Sequence, residues 1–236
     1  MAIYMWREYV PPELCFTANT ANSTVQLTKT WSPTAVTLET SIDGSTWSDY
    51  TIDSTITLSN IWDKVYIRNK SETTTGFSKS TSNYYYFNLS WSIDASWDVT
   101  TLINKNGTDT IIGNYRFYNL FRWCSSLRMC PKIPATTITL GCYYWMFAYC
   151  SNLETIPQLP ATTLADTCYN SMFTWCSKIK LSTTQDSTYT NAYRIPASWT
   201  WTDATNTMAN MFTSTWWTFT WTPTINTTYY TSNQVI

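Results

Sequence analysis

Histidine is absent from all 236 residues. Its absence excludes Ser-His-Asp and Cys-His nucleophile systems and every histidine metal site. Charge is scarce as well: 12% of residues are Asp, Glu, Lys or Arg, where an average domain carries about a quarter. The net charge is −1 and the 14 Lys and Arg never cluster, so no electrostatic footprint for nucleic acid or an anionic membrane exists. No apolar run approaches the length of a membrane span. The opening stretch, Met1 to Pro12, lacks the basic head and apolar stretch of a secretory leader, and export by the general pathway is not expected. A Gly-rich phosphate loop leading into Lys-Ser/Thr is missing too. Catalysis is not expected, and neither is a cofactor.

Glycine is the other shortage. There are 5 glycines and 14 tryptophans, an inversion of the usual order. The tryptophans stand where turns belong. Trp31 precedes Ser32-Pro33, Trp62 separates two strand-like runs, Trp91 and Trp97 interrupt Ser-rich stretches, and Trp199, Trp201, Trp216, Trp217 and Trp221 crowd a Thr-rich tail. Such places ask for a residue without Cβ. One explanation is a reassigned stop codon, read here as tryptophan and in the natural host as glycine. With Trp6 and Trp47 kept as genuine, the exchange restores glycine to the ordinary level of roughly 7%. The other explanation is a surface rich in Trp and Tyr, suited to stacking on sugars or partner proteins.

What the chain does have is a repeat. Cys124, Cys150 and Cys176 stand 26 residues apart. Pro157-Gln158-Leu159-Pro160-Ala161-Thr162-Thr163 repeats Pro131-Lys132-Ile133-Pro134-Ala135-Thr136-Thr137, and the Cys168, Met172, Phe173, Cys176 set repeats Cys142, Met146, Phe147, Cys150. An earlier copy keeps Leu120-Phe121, Cys124-Ser125 and Leu127, and Met208 to Phe212 restarts the motif after an insertion. A period in the twenties predicts a solenoid whose units bury their apolar faces only against their neighbours. Within each unit Cys142, Met146, Cys150 and Leu153 fall at i, i+4, i+8 and i+11, which predicts a short helix with an apolar stripe. The Pro-x-Leu/Ile-Pro step predicts a brief strand. Seven cysteines in this pattern read as reduced core thiols. Zinc is the alternative, against which stand the seven-residue gaps and the missing histidines.

Upstream, Val25 to Leu27, Ala35 to Thr40, Ile56 to Leu58 and Lys64 to Arg68 are rich in β-formers, and Asp43-Gly44 signals a hairpin. The expected fold class is α+β. Its parts are an N-terminal arm (1–14), a small antiparallel β-sandwich (15–88), a cap or linker holding a short helix near Ser96 to Ile103 (89–114), and a leucine-rich-repeat-like solenoid with one strand and one helix per repeat (115–236, insertion 182–205). Ser41 to Trp47 looks like the Asp-box hairpin of sialidases, one residue short, and carries no catalytic implication. Asp43, Asp49 and Asp53, or Asp94 and Asp98, could suit calcium or a carboxylate pair, with solvated loop residues as the plainer reading.

The repeat resembles the BspA-type leucine-rich repeats of bacterial surface proteins, in the 26-residue variant found in gut bacteria and their bacteriophages. The resemblance covers about 115–225 and rests on Leu159 to Leu164, Cys168-Tyr169, Met172-Phe173 and Cys176-Ser177. In that family glycine often precedes the second cysteine, where this chain has Trp123, Tyr149 and Trp175. The resemblance implies a non-enzymatic recognition or adhesion protein on a virion or bacterial surface. A phage-encoded, tail-associated protein binding host-surface glycan or protein is the first expectation. A decoration subunit that assembles with other virion proteins is the second. Aromatic runs at Tyr84 to Phe87, Tyr143-Tyr144 and Tyr229-Tyr230 are the candidate surface, and Tyr118, Tyr144 and Asn170, in phase and off the Cys/Met stripe, are the expected exposed contacts.

Overall fold

The computed structural model describes residues 13–73, 75–107, 111–162, 164–196, 204–215 and 222–236. Most of the expected N-terminal arm lies outside the described residues, as do part of the insertion and Trp6, Trp199, Trp201, Trp216, Trp217 and Trp221.

The first eight strands are β1 (Leu14–Ala18), β2 (Ser23–Lys29), β3 (Leu38–Ser41), β4 (Ser48–Tyr50), β5 (Thr55–Leu58), β6 (Lys64–Asn69), β7 (Tyr85–Leu89) and β8 (Ile93–Ser96). Buried and less buried residues alternate along β2, as at Val25 and Leu27, whereas β1 and β6, inside the larger sheet, are buried at nearly every residue. β5-β2-β7 is an antiparallel sheet of three. It faces a second sheet through Phe16 on β1 and Phe87 on β7, whose rings meet edge-on at 4.8 Å. The β3–β4 hairpin turns at Asp43, whose Oδ1 accepts from Ser45 N at 2.8 Å and Thr46 N at 2.7 Å. Those bonds hold the Asp43 carboxyl well below the usual range. Asp49 meets Lys70 at 2.6 Å, Asp94 pairs with Arg128, and Asp98 caps the 3₁₀ turn Val99–Leu102. Among the described residues no group of His, Cys, Asp and Glu is placed to hold a metal.

The second sheet runs β10-β8-β1-β6-β3-β4. Its edge, β10 (Leu127–Met129), belongs to the first repeat and pairs parallel with β8. The expected linker therefore contributes a strand to the sheet that ties the N-terminal strands to the repeats, and one apolar core runs through both.

The repeats do not have the expected form. The α+β class and the solenoid with a helix in every unit are overturned: among the described residues helix is confined to the 3₁₀ turn and α1 (Ala204–Thr207), and the rest is short strand and turn. The stretch read as helical is a ribbon of turns. Phe117, Asn119, Phe121 and Trp123 donate their N–H to the carbonyls of Cys142, Tyr144, Met146 and Ala148 in the next repeat, at 2.8 to 3.1 Å. The residues between them, Tyr118, Leu120, Arg122 and Cys124, donate three residues back to Tyr115, Phe117, Asn119 and Phe121. Every fourth residue is left-handed, as at Gly141 (φ 58°), Trp145 (57°) and Tyr149 (65°). A right-handed helix cannot contain such residues. The step of four that suggested a helical stripe is the period of this ribbon.

Ribbons lie on one another with equivalent rings in contact. Phe121, Phe147, Phe173 and Phe212 stack at 5.5, 5.7 and 5.6 Å with planes within 8°, and Phe212 shows that the motif does resume after the insertion. Phe117, Tyr143 and Tyr169 form a second column at 5.9 and 5.7 Å. Cys124, Cys142, Met146, Cys150, Cys168, Met172 and Cys176 are buried beside them, with every cysteine free. The Pro-x-Leu/Ile-Pro steps themselves are not strands; brief strands flank them, β11 (Thr137–Ile138) after the first and β12 (Thr155–Ile156) before the second, while β9 (Ile111–Ile112) lies upstream with no proline near it. β9 pairs with β11 in parallel. β13 (Leu181–Ser182), β14 (Asn191–Arg194) and β15 (Thr228–Thr231) make an antiparallel sheet from the insertion and the tail, and β16 (Gln234–Val235) lies parallel to β12.

Candidate functional site

A cleft opens where β7 meets the first ribbon. Alternation along β7 turns Tyr85 and Phe87 inward and leaves Tyr84, just before the strand, and Tyr86 half-exposed. The bond from Phe87 N to Leu120 O at 2.7 Å seats β7 on the ribbon, which brings Tyr84 and Tyr86 beside Asn119, Arg122 and Trp123. These residues line a cleft of about 240 Å³. Tyr84 and Tyr86 lie 5.8 Å apart, tilted by 52°.

Two polar atoms of the cleft have no partner. Asn119 is 2% exposed and its Oδ1 has no hydrogen-bond partner. Arg122 Nε is also buried and unpartnered, while the guanidinium lies 3.9 Å from the Trp145 ring. Buried polar atoms without partners are costly. An acceptor and a donor left open in a cleft that two tyrosines also line match a ligand that supplies both hydroxyl hydrogens and oxygens.

Of the residues expected to make contact, Tyr118 is not exposed. It is 4% accessible, because Tyr84 and Tyr144 close over it at 5.1 and 5.6 Å. Burial, with Tyr84 adding to it, pushes its hydroxyl up to about 12. Tyr144 is half-buried, 4.7 Å from Trp145. Asn170 is half-buried and occupied: its Oδ1 accepts from Ser171 Oγ at 2.7 Å and its Nδ2 donates to Asn206 O at 3.5 Å. Tyr118 thus packs against Tyr84 of the cleft, Tyr144 packs on Tyr118 and Trp145 without lining it, and Asn170 stands apart.

No family model, curated protein or solved structure matches the chain. The likeness to BspA-type repeats therefore rests on the repeat residues alone.

Asn119 and Arg122 escape a reading of the repeat because they are departures from it. In phase with Arg122 stand Ala148 and Thr174, and in phase with Asn119 stand Trp145 and Ser171. A guanidinium at a position otherwise given to small residues is the signal that marks the cleft.

Proposed function

We propose that the protein is a non-enzymatic binding protein that takes one sugar unit of a surface glycan in the cleft between Tyr84, Tyr86, Asn119 and Arg122. The observation that carries this reading is the pair of buried, unpartnered atoms, Asn119 Oδ1 and Arg122 Nε, on residues that line one cleft with Tyr84 and Tyr86. Sugar hydroxyls donate to the first and accept from the second, and the C–H face of the ring lies against a tyrosine. A volume of about 240 Å³ is below the roughly 300–1,000 Å³ of drug-sized sites, which favours a single sugar unit over a larger ligand. Affinity per cleft is then modest, and display in many copies raises it through effective concentration.

The test is a glycan array probed with the multimerised chain and with monomer. Binding that depends on multimerisation, is lost in Tyr84→Ala and Arg122→Ala and survives in Tyr189→Ala supports the reading. Binding indifferent to Tyr84 and Arg122, or no binding by the multimer, rejects it and leaves assembly with other subunits as the better account.

A further inference from the structure

Trp62, Trp91, Trp97, Trp123, Trp145 and Trp175 all have left-handed backbone, with φ between 57° and 74°. A bulky L-residue is an outlier there, because its Cβ crowds the following carbonyl. Within the ribbon this proves little alone, since Tyr149 and Ser171 share the conformation. Trp62, Trp91 and Trp97 lie outside it. They occupy three unrelated turns, between β5 and β6, between β7 and β8, and just before the 3₁₀ turn. Nothing in the packing compensates at the first two, for the indoles of Trp62 and Trp91 are each 70% exposed.

Three of the five glycines behave the same way, and Gly76 and Gly113 do not. Gly44, Gly107 and Gly141 have φ of 72°, 58° and 58°. Trp145 follows Gly141 by four residues in one ribbon and repeats its backbone at 57°. Trp47 behaves otherwise. It is not among the left-handed residues, and Arg68 lies 3.5 Å above its ring while also pairing with Glu13 and Glu39. Among the eight described tryptophans the backbone thus singles out six that sit where glycine belongs, while Trp47 is built in and Trp31, 95% exposed, has no left-handed backbone and is not assigned.

We propose that the polypeptide made in its natural host carries glycine at positions 62, 91, 97, 123, 145 and 175, where a reassigned stop codon has been translated as tryptophan in this sequence. The proposal is independent of the glycan reading. It also bears on the cleft, because Trp123 leaves its rim and Trp145 no longer covers Arg122, so that Tyr84, Tyr86, Asn119 and Arg122 remain as its walls.

Two measurements decide it. Peptide mass spectrometry of the protein isolated from its source is expected to read glycine at 62, 91 and 97 and tryptophan at 47; tryptophan at all four overturns the proposal. In the recombinant full chain, Trp62→Gly, Trp91→Gly and Trp97→Gly are each expected to raise the Tm and Trp47→Gly to lower it. If none of the three raises the Tm, the proposal fails. Should the unsubstituted chain not fold, the variant with all six replacements is expected to unfold cooperatively, and its failure to do so counts equally against the proposal.

Discussion

The Cys150 thiol lies 3.0 Å from the carbonyl oxygen of Phe121 in the preceding repeat and donates to it. Cys176 does the same to Phe147 at 3.0 Å, and Cys124 to Phe87 at 3.1 Å. These cysteines are therefore held within the repeat by contact as well as by volume: each of the three sulfurs fills the core beside a phenylalanine column and donates to the layer beneath, a ribbon for Cys150 and Cys176 and β7 for Cys124. Serine is smaller and its oxygen sits closer to the backbone, so Cys150→Ser lengthens this bond in a dry site and leaves a void. The expected cost is about 1 to 3 kcal/mol, measured by urea denaturation. The exposed Ser125→Ala is the control, and a loss no larger than its own contradicts the buried thiol ladder.

Stability should fall at alkaline pH for the same reason. Burial pushes Cys124, Cys130 and Cys168 up to about 12, and Cys142 and Cys150 are raised as well. In the unfolded chain a thiol loses its proton near pH 8.5. The folded chain then binds more protons than the unfolded one, so stability declines as pH rises. The contribution is complete below about pH 8.5 and is lost from there towards about 12, at about 1.4 kcal/mol per pH unit for each thiol within the window. The urea midpoint should drop steeply above about pH 9, and less steeply in Cys168→Ala. A midpoint flat to pH 10 would show that the thiols are exposed.

Tyr143 and Tyr169 stack in a column whose first member is Phe117, yet their hydroxyls are buried without a partner. Desolvation raises both phenols well above their ordinary value. Since Phe117 shows that the column accepts a bare ring, Tyr143→Phe removes an unsatisfied group at no packing cost. A gain of about 1 kcal/mol is expected, read as a higher urea midpoint with an unchanged slope. A loss of stability would reveal a bridging partner for the hydroxyl.

Beyond its strand pairings, the tail is pinned by one amide. Asn233, 8% exposed, donates through Nδ2 to the carbonyls of Glu154 and Lys178 at 2.9 and 3.0 Å, and its Oδ1 accepts from Lys180 N at 2.9 Å. Asn233→Ala strands three backbone groups and should cost about 2 to 4 kcal/mol. Asn233→Asp should be worse, because a carboxylate cannot donate to either carbonyl and brings charge into a buried site. Thermal melts of the two variants give the order.

Much of this was legible in the sequence. The contact of Phe147 with Phe173 follows from the period alone, since equivalent residues in stacked repeats share an environment. The Asp43-Gly44 turn follows from local chemistry. Other features were hidden for physical reasons. A step of four through Cys142, Met146 and Cys150 suits both a helix and a ribbon of turns, and what separates them is where each N–H points and the sign of φ. The sequence marks that sign with glycine only at Gly141, because Trp145 and Tyr149 hold the next two left-handed positions. The cleft depends on Phe87 bonding to Leu120, a pairing between β7 and the first ribbon that no local pattern announces.

The ribbon makes one further demand that a helix would reverse. Thr167, a β-branched residue, has φ 53° and is in phase with Gly141. In a helix, replacing it by glycine costs stability, because glycine is the poorest ordinary helix former. In the ribbon the same change relieves a left-handed backbone that disfavours an L-residue by about 1–2 kcal/mol, part of which glycine's greater freedom in the unfolded chain offsets. Thr167→Gly is therefore expected to stabilise by up to about 1 kcal/mol. Gly141→Ala is expected to destabilise, since its new Cβ has the wrong hand of backbone and would come within 2.5 Å of Tyr115 Cε1. Urea denaturation of the two variants reads the sign directly: a gain at position 167 with a loss at 141 is the signature of the ribbon, and a loss at 167 would restore the helix.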